Sequence, residues 1–200
     1  MNAETQIKTV RRKVVWGTRI RTALVLGILL ATSCSKSIRS GQASSYLVIT
    51  SLTGGSDNDS TVESDVVTDT GSIFTDAGQA AFQVLMKDNG GLAPTPVNAI
   101  TITQYHVEYV RSDGRNTPGV DVPFAFDGGV TATITGAGSV GFTLVRIQAK
   151  LEAPLKALAF HGGAQAISTV ARITFYGHDQ TGREVSVTGN IDVSFADWAG

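Results

Sequence analysis

The feature that most constrains this chain is an alternation of apolar and polar side chains with a period of two residues. It is clearest over residues 184–198, where the odd positions from 185 to 195 are apolar apart from Gly189, and the even positions between them are polar. Successive side chains of a β-strand point to opposite faces of the sheet, so this period predicts strands with one buried face. No sustained period of 3.6 residues competes with it. The expected fold is therefore all-β.

The same alternation, with Gly, Asp, Asn and Pro between the runs, predicts seven to nine short strands. The predicted strands are residues 46–52, 62–67, 80–87, 100–111, 122–126, 130–135, 139–151, 170–176 and 184–198. So many short strands with one solvated face are typical of an antiparallel β-sandwich of two sheets. A jelly roll or a partly open barrel is the alternative.

Local signals predict how some of these strands meet. Residues 170–198 form a hairpin whose turn has Gly182 at a positive φ. Residues 130–135 and 139–151 form a second hairpin through 136–138. A β-bulge near Thr103 and Gln104 brings the two halves of strand 100–111 into phase. The strand at 122–126 contains a proline, which confines it to a sheet edge.

The N-terminus predicts a cleaved signal peptide over residues 1–33. Residues 1–21 carry six basic side chains and one acidic side chain, and residues 22–31 form an apolar run free of charge. A positive segment followed by an apolar segment of this length is typical of secretion signals. Ten apolar residues are too few to cross a bilayer, which takes about 20.

The small residues Ala31, Thr32 and Ser33 stand immediately before Cys34, the only cysteine of the chain. This segment resembles the lipobox of bacterial lipoproteins, although that family usually has Leu at the position of Ala31. The resemblance implies that the chain is cut before Cys34 and that Cys34 carries lipid. Ser35 favours the outer membrane by the same resemblance. The alternative is an ordinary signal peptide cut near Ser33, which leaves a free thiol.

Removal of the signal peptide leaves an acidic protein. Six of the 16 basic residues and one of the 17 acidic residues are lost, so 10 basic and 16 acidic residues remain, a net charge of −6. An acidic chain is a poor partner for nucleic acid or for anionic lipid headgroups, so a membrane contact would depend on the lipid. Residues 34–45 are rich in serine and predict a flexible tether, and residues 46–200 form the folded domain.

The order of strands over residues 46–198 resembles immunoglobulin-like or fibronectin type III-like domains of the bacterial envelope. The resemblance rests on the strand pattern, because the Cys–Trp–Cys arrangement of antibody domains is absent. It implies an immunoglobulin-like sandwich that binds a protein or glycan partner, or that serves a structural role.

An acidic segment over residues 57–69 raises the hypothesis of a calcium site, since calcium binds oxygen ligands. The run Asp57, Asn58 and Asp59 resembles the start of an EF-hand loop. The rest of the loop does not fit, because Val62 stands where Gly is needed and Thr68 where Glu is needed. A solvated acidic surface is the favoured interpretation, and no metal or cofactor is predicted.

No group of residues predicts catalysis. His106, His161 and His178 are scattered along the chain, and no Gly-x-Ser-x-Gly motif is present. The loop 111–119 is the most distinctive, and its favoured interpretation is a structural turn. In that turn Arg111 or Arg115 pairs with Asp113 or Asp121. No catalytic residue is predicted.

Two functional hypotheses follow. The first is a membrane-anchored envelope lipoprotein with a non-enzymatic immunoglobulin-like module that binds a partner or serves a structural role. The second is an envelope enzyme, or a receptor for a small ligand or glycan, with a site in the loops around Asp113 and Asp179. The second hypothesis needs a deep pocket with a few convergent polar groups.

Overall fold

The computed structural model describes residues 43–55, 59–88, 90–161 and 165–198. Within these ranges the chain is mostly β, which confirms the predicted all-β class. The eight strands are β1 (Ser45–Gly54), β2 (Thr61–Asp65), β3 (Asp76–Met86), β4 (Ile100–Val110), β5 (Phe126–Ile134), β6 (Ala137–Val145), β7 (Ile167–Asp179) and β8 (Glu184–Ala196). A short helix α1 (Ile147–Leu151) and two 3-10 turns (Pro96–Asn98 and Leu155–Leu158) complete the regular structure.

The strands form two sheets. One has three strands in the order β1-β3-β6, and the other has five in the order β2-β8-β7-β4-β5 and curls into a half-barrel. The prediction of purely antiparallel sheets is wrong at one place, because β2 pairs with β8 in parallel. Since β1 and β2 are consecutive but belong to different sheets, the chain changes sheet between them.

The core between the sheets is built around aromatic rings. The ring centroids of Phe82 on β3 and Phe175 on β7 lie 5.0 Å apart, edge to face. Phe142 on β6 lies 5.4 Å from Phe175 and 5.4 Å from Tyr105 of β4. Each edge-to-face pair contributes about 0.5–1.5 kcal/mol beyond the burial of its surface. These contacts join β3 and β6 of the smaller sheet to β4 and β7 of the larger one.

The hairpin of β7 and β8 agrees with its prediction. The two strands pair in register from Ile167–Phe195 to His178–Glu184, and Gly182 has a φ of 78°. The carboxylate of Asp179 closes the turn, accepting hydrogen bonds from the Thr181 and Arg183 amides at 2.8 and 3.0 Å. A buried carboxylate paired with backbone amides fixes the turn, as expected for an Asx motif.

The predicted bulge in β4 is confirmed. The pairing of β4 with both of its neighbours shifts between Ile102 and Gln104. Beyond the shift Tyr105, Val107 and Tyr109 all point into the core, and each is at most 5% exposed. The extra residue therefore lets both halves of a long strand present their apolar side chains to one core.

The predicted strand over residues 139–151 is wrong after Val145. Strand β6 ends there, and the chain turns at Arg146 into helix α1. A strand continued to residue 151 would place Ile147 and Leu151 on the same face as Val145 and Lys150 on the opposite face. Ile147 and Leu151 are instead 42% and 51% exposed, and Lys150 is buried. The reason is that the ammonium group of Lys150 binds acceptors supplied by β2 and β3, which the local pattern does not reveal.

The predicted hairpin over residues 130–151 is also wrong. Strands β5 and β6 follow each other closely but pair in different sheets, so the turn between them crosses from one sheet to the other. The predicted edge strand over residues 122–126 does not form either. Val122 makes a single isolated bridge with Pro118, and Phe126 is the first residue of β5.

The domain has two ends, which we name by the path of the chain. The entry end holds the start of β1 and the β7–β8 turn; the far end holds the end of β1, the start of β3, α1 and the end of β8. Strand β4 runs over 11 residues between them, a length of about 35 Å. Ala43 is already buried at the entry end, whereas Cys34 and residues 34–42 of the predicted tether lie outside the described ranges.

Candidate functional site

Most of the large apolar side chains that are exposed in the described part of the chain lie at the far end. They are Phe74, Val120, Phe124, Ile147, Leu151, Phe160 and Trp198. Single exposed apolar residues are common on protein surfaces, but a group of them at one end marks an interaction surface. The far end is therefore the candidate functional site.

The loop after β4, residues 111–119, lies at this end and is held in place by ion pairs within it. The guanidinium of Arg111 lies 2.6 Å from the carboxylate of Asp113, and Arg115 lies 3.0 Å from the same carboxylate. The hydrogen bond from Arg111 and the bonds from Arg115 hold the pKa of Asp113 well below its ordinary value. The predicted structural turn with these residues is thereby confirmed. Asp121 instead accepts a hydrogen bond from the Thr117 amide at 3.1 Å.

The same loop presents Phe124 at the surface. Gly119 has a φ of 75°, and a side chain there would lie 2.5 Å from the Phe124 ring. Two residues further along, the Phe126 ring is covered by the guanidinium of Arg146 at 4.3 Å from the ring centroid. This cation–π contact places the start of α1, and so Ile147, beside the loop that carries Phe124.

A buried charged network lies beneath α1. The ammonium of Lys150, whose side chain is 2% exposed, donates to the Asp76 carboxylate at 3.0 Å and to the Asp65 carbonyl at 2.7 Å. Ser64 donates to the second oxygen of the Asp76 carboxylate. The side chain of Asp65 accepts from the Trp198 amide at 3.2 Å. Residues of β2, β3, α1 and the chain after β8 are thus joined in one place.

An open groove of about 650 Å³ adjoins this network between β1, β2 and β3. The carboxylates of Asp59, Glu63 and Asp76 line it, together with hydroxyl groups and the backbone of Gly54 and Gly55. The groove therefore offers negative charge and hydrogen-bond acceptors rather than an apolar cavity. Of the acidic segment proposed for calcium, Asp57 and Asn58 lie outside the described residues.

The structure separates the residues of the second hypothesis. Asp113 follows the end of β4 at the far end, whereas Asp179 pairs opposite Ile100 at the entry end. His106 forms a hydrogen bond of 2.8 Å with Asp127 on the solvent face of the larger sheet. The prediction of one site formed by the loops around both aspartates is therefore wrong, because these loops lie at opposite ends of the domain. Among the described residues, no three His, Cys, Asp or Glu side chains are grouped to hold a metal ion.

The sequence interpretation missed the exposed face of α1 and the buried Lys150. The signal was present in part, because Ile147 and Leu151 are four residues apart and Pro154 follows shortly afterwards. Side chains at i and i+4 share one face of a helix, but a strand also places both on one face. The local pattern alone could not distinguish these two structures.

Comparison with known protein families and with curated protein sequences finds no match to this chain. Among the described residues, no helix has the length and hydropathy needed to span a membrane.

Proposed function

We propose that this chain is a lipoprotein of the bacterial cell envelope, anchored through Cys34, whose β-domain is a non-enzymatic module that binds a partner or serves a structural role. The basic segment, the apolar run and the small residues before Cys34 support the anchor. The net charge of −6 after cleavage supports anchoring by lipid rather than by attraction to headgroups. Ser35 favours the outer membrane.

An immunoglobulin-like topology is part of the proposal. In that family strands A, B and E form one sheet and strands C, F and G the other. If β1, β3 and β6 correspond to A, B and E, then β4, β7 and β8 correspond to C, F and G, and β5 extends the second sheet beside C. The order of strands in both sheets supports this correspondence. The chain departs from the family in having no disulfide, because it has one cysteine.

The observation that carries the proposal is that the two ends of the domain differ. The described chain begins at the entry end, and most of the exposed large apolar side chains lie at the far end. A module held by one end presents its opposite end to partners away from the membrane. Binding residues commonly lie in loops that a rigid sheet framework positions.

Fractionation and intact-mass analysis test the anchor. The wild-type chain, produced in a bacterium that processes lipoproteins, is expected in the membrane fraction, starting at Cys34 and carrying fatty acids. Cys34→Ser should leave the membrane fraction, because it has no thiol to acylate. Ser35→Ala is the matched control and should remain anchored. Wild-type protein that still begins at Met1, or a mature protein with an unmodified Cys34, contradicts the proposal.

The groove favours a second candidate function, a receptor for a small ligand or glycan. Its carboxylates and hydroxyl groups suit hydroxyl- or amine-bearing ligands better than apolar ones. A glycan array probed with the wild-type chain and with the double variant Asp59→Asn, Glu63→Gln tests it. Glycan binding that the variant loses would support this candidate, and the absence of any binding would exclude glycans. Calorimetric titration with calcium chloride tests the calcium hypothesis in the same way.

A further inference from the structure

We call the exposed side chains of Phe124, Ile147, Leu151 and Trp198 the far-end patch. We propose that the far-end patch binds a protein segment in which apolar side chains are flanked by Lys or Arg. This inference rests on the proposed function as a binding module, and it names the chemistry of the partner.

Contacts made by neighbouring residues hold the segments that carry the far-end patch together at one end of the domain. Arg146, which precedes Ile147, lies over the Phe126 ring two residues after Phe124. At the other side Lys150, which precedes Leu151, binds the Asp65 carbonyl at 2.7 Å. The side chain of Asp65 in turn accepts from the Trp198 amide at 3.2 Å. These contacts join the segments that carry the four members around α1.

The members of the far-end patch have no covering element in the described part of the chain. Phe124 is 50% exposed, Ile147 42%, Leu151 51% and Trp198 43%. Apolar and aromatic side chains of this kind form the centres of protein interfaces, where Trp and other aromatic residues dominate the binding energy. The surroundings of the patch decide which partner fits.

Acidic side chains without a counter-charge lie at the same end. Asp59 and Glu63 are exposed along the groove beside Asp76, and Asp69 is exposed beyond β2. None of these three exposed acids forms an ion pair with a described basic side chain. Lys156, in the 3-10 turn after α1, is exposed. A partner with basic side chains would neutralise these acids when it binds.

The other basic side chains of this end are already engaged. Among the described residues, Arg111 and Arg115 both bind Asp113, Lys150 is buried against Asp76, and Arg146 lies over the Phe126 ring. Complementary charge accelerates association and selects against partners of like charge. An acidic partner, an anionic lipid surface or a second copy of this chain would all meet repulsion here. A cationic amphipathic segment meets attraction at the rim and apolar contact at the centre.

The test measures binding of defined peptides by fluorescence anisotropy. The full chain, purified from the producing cells, is reconstituted in phosphatidylcholine vesicles if it is anchored and kept in solution if it is not. The probe is a labelled peptide of alternating Leu and Lys, with vesicles alone as the blank. Peptides of alternating Leu and Glu, and of alternating Ser and Lys, separate the apolar and cationic contributions. Loss of the anchor therefore does not prevent this measurement.

We expect the Leu–Lys peptide to bind at least about tenfold more tightly than either control peptide. The double variant Ile147→Ser, Leu151→Ser should weaken its binding by about tenfold, because two apolar contacts are lost. The matched control, Leu92→Ser with Val97→Ser, removes exposed apolar side chains at the entry end and should change binding less than twofold. All four positions are exposed, so thermal unfolding should be unchanged.

A second pair of variants tests the charge. Asp59→Asn with Glu63→Gln should weaken binding and reduce its dependence on salt, whereas Asp88→Asn with Glu184→Gln at the entry end should do neither. Equal binding of the Ser–Lys or the Leu–Glu peptide overturns the proposal. So does a patch variant that binds like wild type. Sedimentation showing a dimer that the patch variant disrupts would assign the surface to a second copy instead.

Discussion

At the scale of single residues, two tyrosines of β4 join the sheets through their hydroxyl groups. The hydroxyl of Tyr109 donates to the Leu144 carbonyl at 2.6 Å, and the hydroxyl of Tyr105 accepts from the Thr143 amide at 3.1 Å. Both partners belong to β6, an edge strand of the smaller sheet. Buried backbone groups need hydrogen-bond partners, and these two side chains supply them to the Leu144 carbonyl and the Thr143 amide.

Tyr109 makes the stability of the folded protein depend on pH in the alkaline range. Burial, followed by the nearby Asp76 carboxylate, raises the pKa of the Tyr109 phenol well above its ordinary value of about 10. Above pH 10 the unfolded chain releases this proton and the folded protein keeps it, so stability falls as pH rises. Tyr109→Phe should flatten this fall while costing about 1–3 kcal/mol at pH 7, because the Leu144 carbonyl loses its donor.

Urea unfolding at pH 7 and between pH 10 and 11.5 measures both effects. Tyr176→Phe is the matched control, since its side chain is 38% exposed on the solvent face, and it should leave the pH profile unchanged. A Tyr109→Phe protein that loses stability with pH as steeply as wild type would contradict the expectation.

At the scale of elements, the bulge in β4 depends on a glycine in β7. Gly177 pairs opposite Ile102, immediately before the register shift. A side chain at Gly177 would lie 2.2 Å from the Thr101 carbonyl oxygen and 2.9 Å from the Ile102 Cα. The two backbones therefore approach each other more closely here than any larger residue allows.

Gly177→Ala should destabilise the domain by about 1–3 kcal/mol, because the clash is with backbone that cannot move aside. Gly141→Ala is the matched control in β6, where a new side chain would have only the Gly78 carbonyl, 4.0 Å away, as its nearest neighbour. It should be neutral or stabilise by up to about 1 kcal/mol. Thermal unfolding compares the two, and equal melting temperatures would argue against a tight packing at the bulge.

The sequence allowed prediction of the elements that depend on neighbouring residues. The β7–β8 hairpin and the bulge in β4 follow from alternation and turn residues within a few positions, and both are confirmed. The turn at Arg146 was not predictable in this way. It depends on Lys150 reaching Asp76, 74 residues earlier in the chain. Contacts at that separation leave no local signal.

At the scale of the whole molecule, the network around the ion pair of Lys150 and Asp76 connects the two sheets at the far end. Lys150 and Asp76 follow or begin strands of the smaller sheet, while Ser64 and Asp65 lie on β2 of the larger one. The network therefore connects the two sheets beside the groove that lies between them. A buried ammonium is tolerated because a carboxylate and a carbonyl both accept from it.

Asp76→Asn should destabilise the protein by about 3–5 kcal/mol, since it leaves the Lys150 ammonium buried without a counter-charge. Lys150→Met should cost less, because the Asp76 side chain is 21% exposed and still accepts from Ser64. The double variant should recover most of the loss of Asp76→Asn. Denaturant unfolding measures all three.

The exposed pair of Arg172 and Glu108, 3.4 Å apart, provides the comparison for that network. Its removal should cost less than about 1 kcal/mol. If Lys150→Met proved as costly as Asp76→Asn, or if the double variant recovered nothing, the buried charge would not be the cause.

The candidate site was only partly accessible from the sequence. The structural turn over residues 111–119 was predicted with Arg111 or Arg115 paired to Asp113 or Asp121, and the structure shows both arginines on Asp113. The far-end patch was not predicted, because a strand over residues 139–151 places Ile147 and Leu151 on the same face as the buried Val145. The convergence of Phe124, α1 and Trp198 depends on the sheet topology, which brings together segments from three distant parts of the chain.

The parallel pairing of β2 with β8 has a mechanical consequence. The described chain enters at one end and leaves at the other, so a pull between Ala43 and Trp198 acts along the axes of β1 and β8. Strands loaded lengthwise slide against their neighbours, and all the hydrogen bonds of a strand share the force instead of opening one after another. The domain would therefore resist being stretched between its two ends.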